Sequence, residues 1–154
     1  MSTIEERFWA KVDHAGGCWE WTASTNSLGY GTFHVGGKMK KAHRVSYEIA
    51  NGPIPDGMVI DHQCQNRGCV NPSHLRLATQ KQNGENLSAG RINNVTSGVR
   101  GVYQTKGGKW QARVKHHRKV YNAGSHDTIA EAEAAVIAKR NELYTHNDAD
   151  RRGL

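Results

Sequence analysis

With 154 residues the chain has room for one ordinary domain or two very small ones, and at 36% hydrophobic residues it is short of material for one large core. A formal charge of +7 and an isoelectric point near 9.5 call for a polyanionic partner, either nucleic acid or an anionic membrane surface. The membrane is disfavoured: no run approaches the roughly 18 apolar residues of a span, and no basic amphipathic helix stands out. The start, MSTIEERFWAK, also lacks the basic and apolar regions of a secretory signal, so the expectation is a cytoplasmic protein that meets DNA or RNA. Three cysteines, an odd number without an export signal, argue against a disulfide framework and leave metal binding or free thiols.

In chain order, Ser2 and Thr3 are followed three residues later by Glu5 and Glu6, a capping-box pattern that predicts a short N-terminal helix with Phe8, Trp9 and Val12 inward. Cys18 to Val35 mixes aromatic and β-branched residues with glycines and predicts a hairpin with a glycine-bearing turn. Lys41 to Ala50 predicts a helix stopped by Asn51-Gly52-Pro53. Met58–His62 and Leu75–Leu77 predict short strands, and Thr79 with Gln82 caps a helix that places Asn83 in its first turns. A polar, aperiodic stretch around residues 91–97 reads as a linker. Gly98–Gln104, Lys109–Lys115 and Lys119–Gly124 then predict three strands, with a turn at Lys106-Gly107-Gly108. Thr128 with Glu131 opens a helix whose apolar stripe is Ile129, Ala132, Val136 and Leu143. Residues 147–154 are polar and expected to fray.

The chemistry is concentrated between Asp61 and Leu75 (DHQCQNRGCVNPSHL). Cys64, Cys69 and His74 are separated by four residues each, and thiolates plus an imidazole on a tight loop suit tetrahedral zinc. Cys18 is the remaining cysteine and the natural fourth ligand. With four ligands supplied, His62 is left for other work, either a structural role or that of a general base.

The run Asp61-His62, Asn71, Asn83 resembles the H-N-N form of the HNH nucleases. The fuller pattern from His62 through Cys64, Cys69, Asn71-Pro72 and His74-Leu75 to Asn83 resembles the His-Cys box of homing endonucleases. The resemblance covers roughly Cys18 to Asn86. It implies a ββα-metal core with structural Zn²⁺, His62 as the base that activates water, and Asn83 as ligand to a catalytic Mg²⁺ or another divalent cation. Asn71 would orient the loop, and Asp61 is a further candidate magnesium ligand. The family's supporting arginine has no clear counterpart; Lys38, Lys40, Lys41 and Arg44 are the candidates, and His43-Arg44 reads equally as structural or functional.

Between Glu85 and Asp127 there is no acidic residue, while eight lysines and arginines fall there. Trp110, Ala112 and Val114 alternate with Gln111, Arg113 and Lys115, which sets an apolar face against the helix and a basic face outward. Gly98-Val99-Arg100-Gly101-Val102-Tyr103, Lys109-Trp110, Ala112-Arg113-Val114, Gly124 and Asp127-Thr128 with Glu131-Ala132 resemble the AP2 DNA-binding domain. That resemblance implies Arg100, Tyr103, Thr105, Arg113, Lys115 and Asn122 as the DNA-contacting set.

The whole is an α+β chain: a zinc-stapled ββα-metal nuclease domain at 1–90, a linker at 91–97, an AP2-like sheet-plus-helix module at 98–146 and a tail at 147–154. The expected function is a metal-dependent endonuclease acting on double-stranded DNA, of the phage or mobile-element homing kind, in a phage-infected or bacterial host cell, as monomer or homodimer. The rival reading is a zinc-stabilised DNA-binding protein without nuclease activity; His62 with Asn83 is the pair such a binder does not need.

Overall fold

The computed structural model describes residues 1–86 and 95–152. They form two compact units, Met1–Asn83 and Gly84–Leu154. The expected linker falls largely on residues 87–94, outside the described residues. Glu85 and Asn86, assigned by the sequence to the first domain, pack within the second unit.

In the first unit, α1 (Ile4–Trp9) is closed by a capping box: the Thr3 hydroxyl accepts from the Glu6 amide, and the Glu6 carboxylate accepts from the Thr3 amide at 2.8 Å. The short strands β1 (Val12–Asp13) and β2 (Glu20–Trp21) pair antiparallel. The expected glycine-bearing turn forms at residues 26–30, where Thr25 bridges Gly31 and Gly29 takes φ of +81°. A further, tight hairpin joins β3 (Thr32–Val35) and β4 (Lys38–Lys41), where Gly36 and Gly37 take φ of +57° and +78°. Trp21 pairs back to Val12. Helix α2 (Ala42–Asn51) follows β4 without a break and stops at Gly52, in positive φ.

Phe8, Trp21, Phe33, Ala42, Val45 and Val70 form the core of this unit. Its tightest point is Gly31. A Cβ there would lie 2.5 Å from Trp21 Cδ1 and 2.9 Å from Ala42 Cβ, so only glycine lets the chain pass between them. Next come β5 (Val59–His62) and β6 (Leu75–Ala78), antiparallel with Asp61 opposite Arg76 and His62 opposite Leu75. The connection contains a 3-10 turn at Pro72–His74. Helix α3 (Gln80–Glu85) follows β6 directly, capped by Thr79 and Gln82.

The second unit contains an antiparallel sheet in the order β7 (Val102–Gln104), β8 (Trp110–His116), β9 (Lys119–His126). Helix α4 (Ile129–Leu143) covers one face, with Ala132, Val136 and Tyr144 against Val102, Ala112 and Val114. Gly101 has φ +87°, and a Cβ on it would meet Arg113 O at 2.6 Å and Val136 Cγ2 at 2.8 Å. The end of the chain departs from the expected fray. Asp148–Arg152 forms α5, Asn147 and Ala149 are buried, and Asp150 receives the Arg140 guanidinium at 2.5 and 2.8 Å. A helix held by a buried ion pair leaves no apolar stripe in the sequence, which is why this one was not visible there.

The Arg140–Asp150 pair is nearly solvent-free on both sides, at 4% and 7% exposure. Asp150→Ala strands a buried guanidinium and is expected to cost about 3 kcal/mol in chemical denaturation of the full chain; a loss below about 1 kcal/mol would show that α5 is not anchored there.

Candidate active site and metal centre

The connection between β5 and β6 gathers the sulfur and imidazole ligands. The ligand atoms of Cys18, Cys64, Cys69 and His74 all lie within 4.8 Å of one another. His74 Nδ1 is 3.6 Å from both Cys18 Sγ and Cys69 Sγ. Tetrahedral zinc with bonds of about 2.0–2.3 Å needs ligand atoms roughly 3.5–3.8 Å apart, so the donor set and its spacing fit a bound metal ion. Cys18 precedes β2, and main-chain bonds join the two segments: Trp21 N donates to Gly68 O at 3.0 Å and Val70 N to Trp19 O at 2.8 Å.

The thiols are electrostatically in conflict without a cation. Burial pushes the Cys18 thiol up, a hydrogen bond with Cys69 pulls Cys64 down, and that same bond pushes Cys69 strongly up. A bound dication removes the conflict by allowing all three to ionise. Asn71 ties the loop together. Its Oδ1 accepts from Ser73 N and Ser73 Oγ at 3.0 and 2.7 Å, and its Nδ2 donates to Gly17 O at 3.0 Å.

His62 ends β5 with its ring buried. Its Nε2 lies 3.0 Å from the carbonyl of Cys69. A carbonyl only accepts, so Nε2 carries the proton and the lone pair of the neutral ring belongs to Nδ1. Burial holds the His62 pKa below the usual histidine range, against smaller opposing effects from the Cys69 bond and Asp61. Beside it, Asp61 is also buried, and its Oδ2 accepts from Arg76 Nε and Nη2 at 2.9 and 2.8 Å. Arg76 was absent from the sequence reading; the signal was available in the hairpin register, which sets it opposite Asp61. Asn83 stands one turn into α3, half-buried, with its main-chain N–H donating to Thr79 O at 2.9 Å.

A family model described as HNH endonuclease matches residues 40–85, from β4 through α3. Protein 3.8 of Escherichia phage T7 is 35% identical over 108 residues, which cover 70% of this chain and 87% of that protein. The chain carries an HNH endonuclease domain at residues 40–85 and is a relative of that phage protein. Proteins 7.7 and 2.8 of the same phage are 47% and 40% identical over 70 and 73 residues, each covering 46% of this chain. The chain spans 54% and 49% of the length of those two relatives. No solved structure matches it. The HNH segment includes His62, Asp61, Asn71, Asn83 and three of the four clustered ligands, while Cys18 lies outside it. Among the described residues no helix is long and apolar enough to cross a membrane.

The open face of the second unit's sheet is a separate surface. Arg113 and Lys115 on β8, Tyr103 on β7 and Asn122 on β9 are all exposed on it. Gln111 links two of them, accepting from Arg113 Nη2 at 2.7 Å and donating to Asn122 Oδ1 at 3.4 Å. Thr105 sits in the β7–β8 turn with its hydroxyl on Lys109 O. Arg100 departs from the expected set. Its guanidinium is tied down by the carbonyls of Glu85 and Gly84 at 3.0 and 2.9 Å and lies over the Tyr144 ring, so its charge serves the fold of the unit.

The clustered ligands make a direct prediction. Cys69→Ser is expected to remove bound metal, read by elemental analysis, and to lower the melting temperature of the first unit sharply, because metal-binding energy is folding energy in such a loop. A variant that keeps both metal and melting temperature would show that the cluster is not a metal site.

Proposed function

We propose that this protein is a metal-dependent DNA endonuclease that hydrolyses phosphodiester bonds in double-stranded DNA, of the phage or mobile-element homing kind. The observation that carries the reading is the hydrogen bond from His62 Nε2 to the Cys69 carbonyl. It connects the base to the metal loop and leaves Nδ1 as the proton acceptor, within the segment that matches the HNH endonucleases. Relatives from phage T7 support an infected bacterial cell as the setting.

In this reading Cys18, Cys64, Cys69 and His74 hold structural Zn²⁺, and the β5–β6–α3 run is the ββα core. The His62 imidazole, kept neutral by burial, takes a proton from the attacking water at Nδ1 while the Cys69 carbonyl fixes the ring. Asn83 and Asp61 offer the oxygen donors that Mg²⁺ or another hard cation takes, and such a cation would supply charge neutralisation at the phosphate and the leaving oxygen. Arg76 holds one side of the Asp61 carboxylate by two N–H groups. Asn71 keeps the loop in register.

The second unit serves as the DNA-binding module, an AP2-like sheet with Tyr103, Thr105, Arg113, Lys115 and Asn122 toward the duplex. The alternation that exposes Arg113 and Lys115 while burying Ala112 and Val114 supports this. Phosphate contacts from such a face give salt-dependent affinity, and the side chains that reach base edges give preference.

His62→Ala is expected to slow cleavage of supercoiled plasmid in Mg²⁺ by about 10²–10⁴-fold at unchanged zinc content, the range of a lost general base. Full activity in this variant would remove His62 from the chemistry, and a wild type that binds duplex without cutting it would favour a zinc-stabilised binding protein. Arg113→Ala is expected to weaken duplex binding by about 1–3 kcal/mol and, where the contact is to phosphate, to lower the salt dependence of log K by about 0.9; unaltered affinity would remove the sheet face from DNA binding.

A further inference from the structure

His43 lies in the first turn of α2, 4% exposed. Its ring centroid is 4.6 Å from that of His62, at an interplanar angle of 67°. Tyr30 closes the group, 5.3 Å from His43 and 6.0 Å from His62. Lys41 Nζ lies 4.7 Å from the Tyr30 ring centroid and the Arg67 guanidinium 5.6 Å from it, so two cations border this set of rings. Within it, His43 Nδ1 is buried and has no hydrogen-bond partner among the described residues.

A buried polar nitrogen without a partner is costly, and such groups in folded proteins are commonly completed by a water, an ion or a ligand. His43 gains no charge that would offset this cost. Burial first, then the neighbouring His62 and Lys41, push its pKa down to about 3, so the ring is neutral under any working condition. A neutral imidazole has one N–H to give and is held rigidly here by packing against His62 and Tyr30. A phosphodiester brings non-bridging oxygens that only accept, and the two bordering cations favour an anion at this place.

We propose that His43 is a second catalytic imidazole of this site, donating a ring N–H to a non-bridging oxygen of the phosphodiester whose attacking water is deprotonated by His62. This rests on the nuclease reading of His62. His62 handles the proton of the water, and His43 stabilises charge that grows on the phosphoryl oxygens as the new P–O bond forms and the bond to the leaving oxygen breaks. The bordering cations, Lys41 and Arg67, supply the positive field. Lys40 is engaged by Glu48 at 3.0 Å. Among the four basic candidates left open by the sequence, Lys41 is the one placed against the ring group.

The test compares plasmid cleavage in Mg²⁺ by wild type, His62→Ala, His43→Phe and His43→Gln, all zinc-loaded and matched in melting temperature. Phenylalanine preserves the ring packing and removes the N–H, and glutamine restores a donor. The expected result is a loss of about 10²-fold in His43→Phe at unchanged duplex affinity, with roughly tenfold recovered in His43→Gln, the scale of one oxyanion donor. A His43→Phe enzyme as fast as wild type beside an inactive His62→Ala would overturn the proposal and leave the nuclease reading standing. A fully active His62→Ala, or a wild type that never cuts, would overturn both. Should the His43 variants fail to fold, ¹⁵N-histidine NMR of the wild type with a short duplex in Ca²⁺ decides. A hydrogen-bond shift at a His43 ring nitrogen on adding DNA is expected, and an unmoved His43 beside shifted sheet-face resonances would refute the contact.

Discussion

Three thiols and an imidazole held within 4.8 Å of one another are the constraint on which the first unit depends. Without a cation the cluster is a liability: the neighbouring thiols oppose one another's ionisation, and a loop of polar residues has little apolar surface with which to hold itself closed. With one, the same residues bind Cys18, at the entry to β2, to the β5–β6 connection. A metal bound there would do for a short chain what a larger hydrophobic core does for a long one. Cys69 sits at the junction of the two roles, since its sulfur belongs to the cluster and its carbonyl holds His62.

That junction explains why so many polar groups are buried in so small a unit. Asp61 is matched by two N–H groups of Arg76 across the hairpin, and His62 is matched by a main-chain carbonyl. Ser46, fully buried in α2, donates to Val70 O and ties that helix to the metal loop. Each of these satisfies a group whose burial would otherwise be costly. His43 Nδ1 breaks the pattern, in a ring whose centroid lies 4.6 Å from that of His62.

Much of this was legible in the sequence where the signal is local. The capping boxes at Thr3, Thr79 and Thr128 are decided by residues three apart, and all three form as expected. The even spacing of Cys64, Cys69 and His74 pointed to a metal-binding cluster, and the fold brings them together with Cys18, 46 residues before Cys64. What escaped was set by tertiary pairing. The glycine-bearing turn expected within Cys18–Val35 forms at residues 26–30, whereas the pairing of Trp21 with Val12 and the further hairpin turned by Gly36-Gly37 lie outside that local pattern. Arg100 matched a pattern of surface arginines, yet the carbonyls at the end of α3 needed a donor. Helix α5 depends on an Arg140–Asp150 pair ten residues apart, and for His43, which the sequence left between a structural and a functional role, the packing against His62 and the unpartnered Nδ1 emerge only in the fold.

We infer that one metal ion organises both the fold of the first unit and the aim of His62. The most direct test is a zinc titration of the metal-stripped chain in constant Mg²⁺, following plasmid cleavage and tryptophan fluorescence together. Both signals should rise in parallel and saturate at one zinc per chain. A chain that cuts DNA at full rate with its zinc removed would contradict the account.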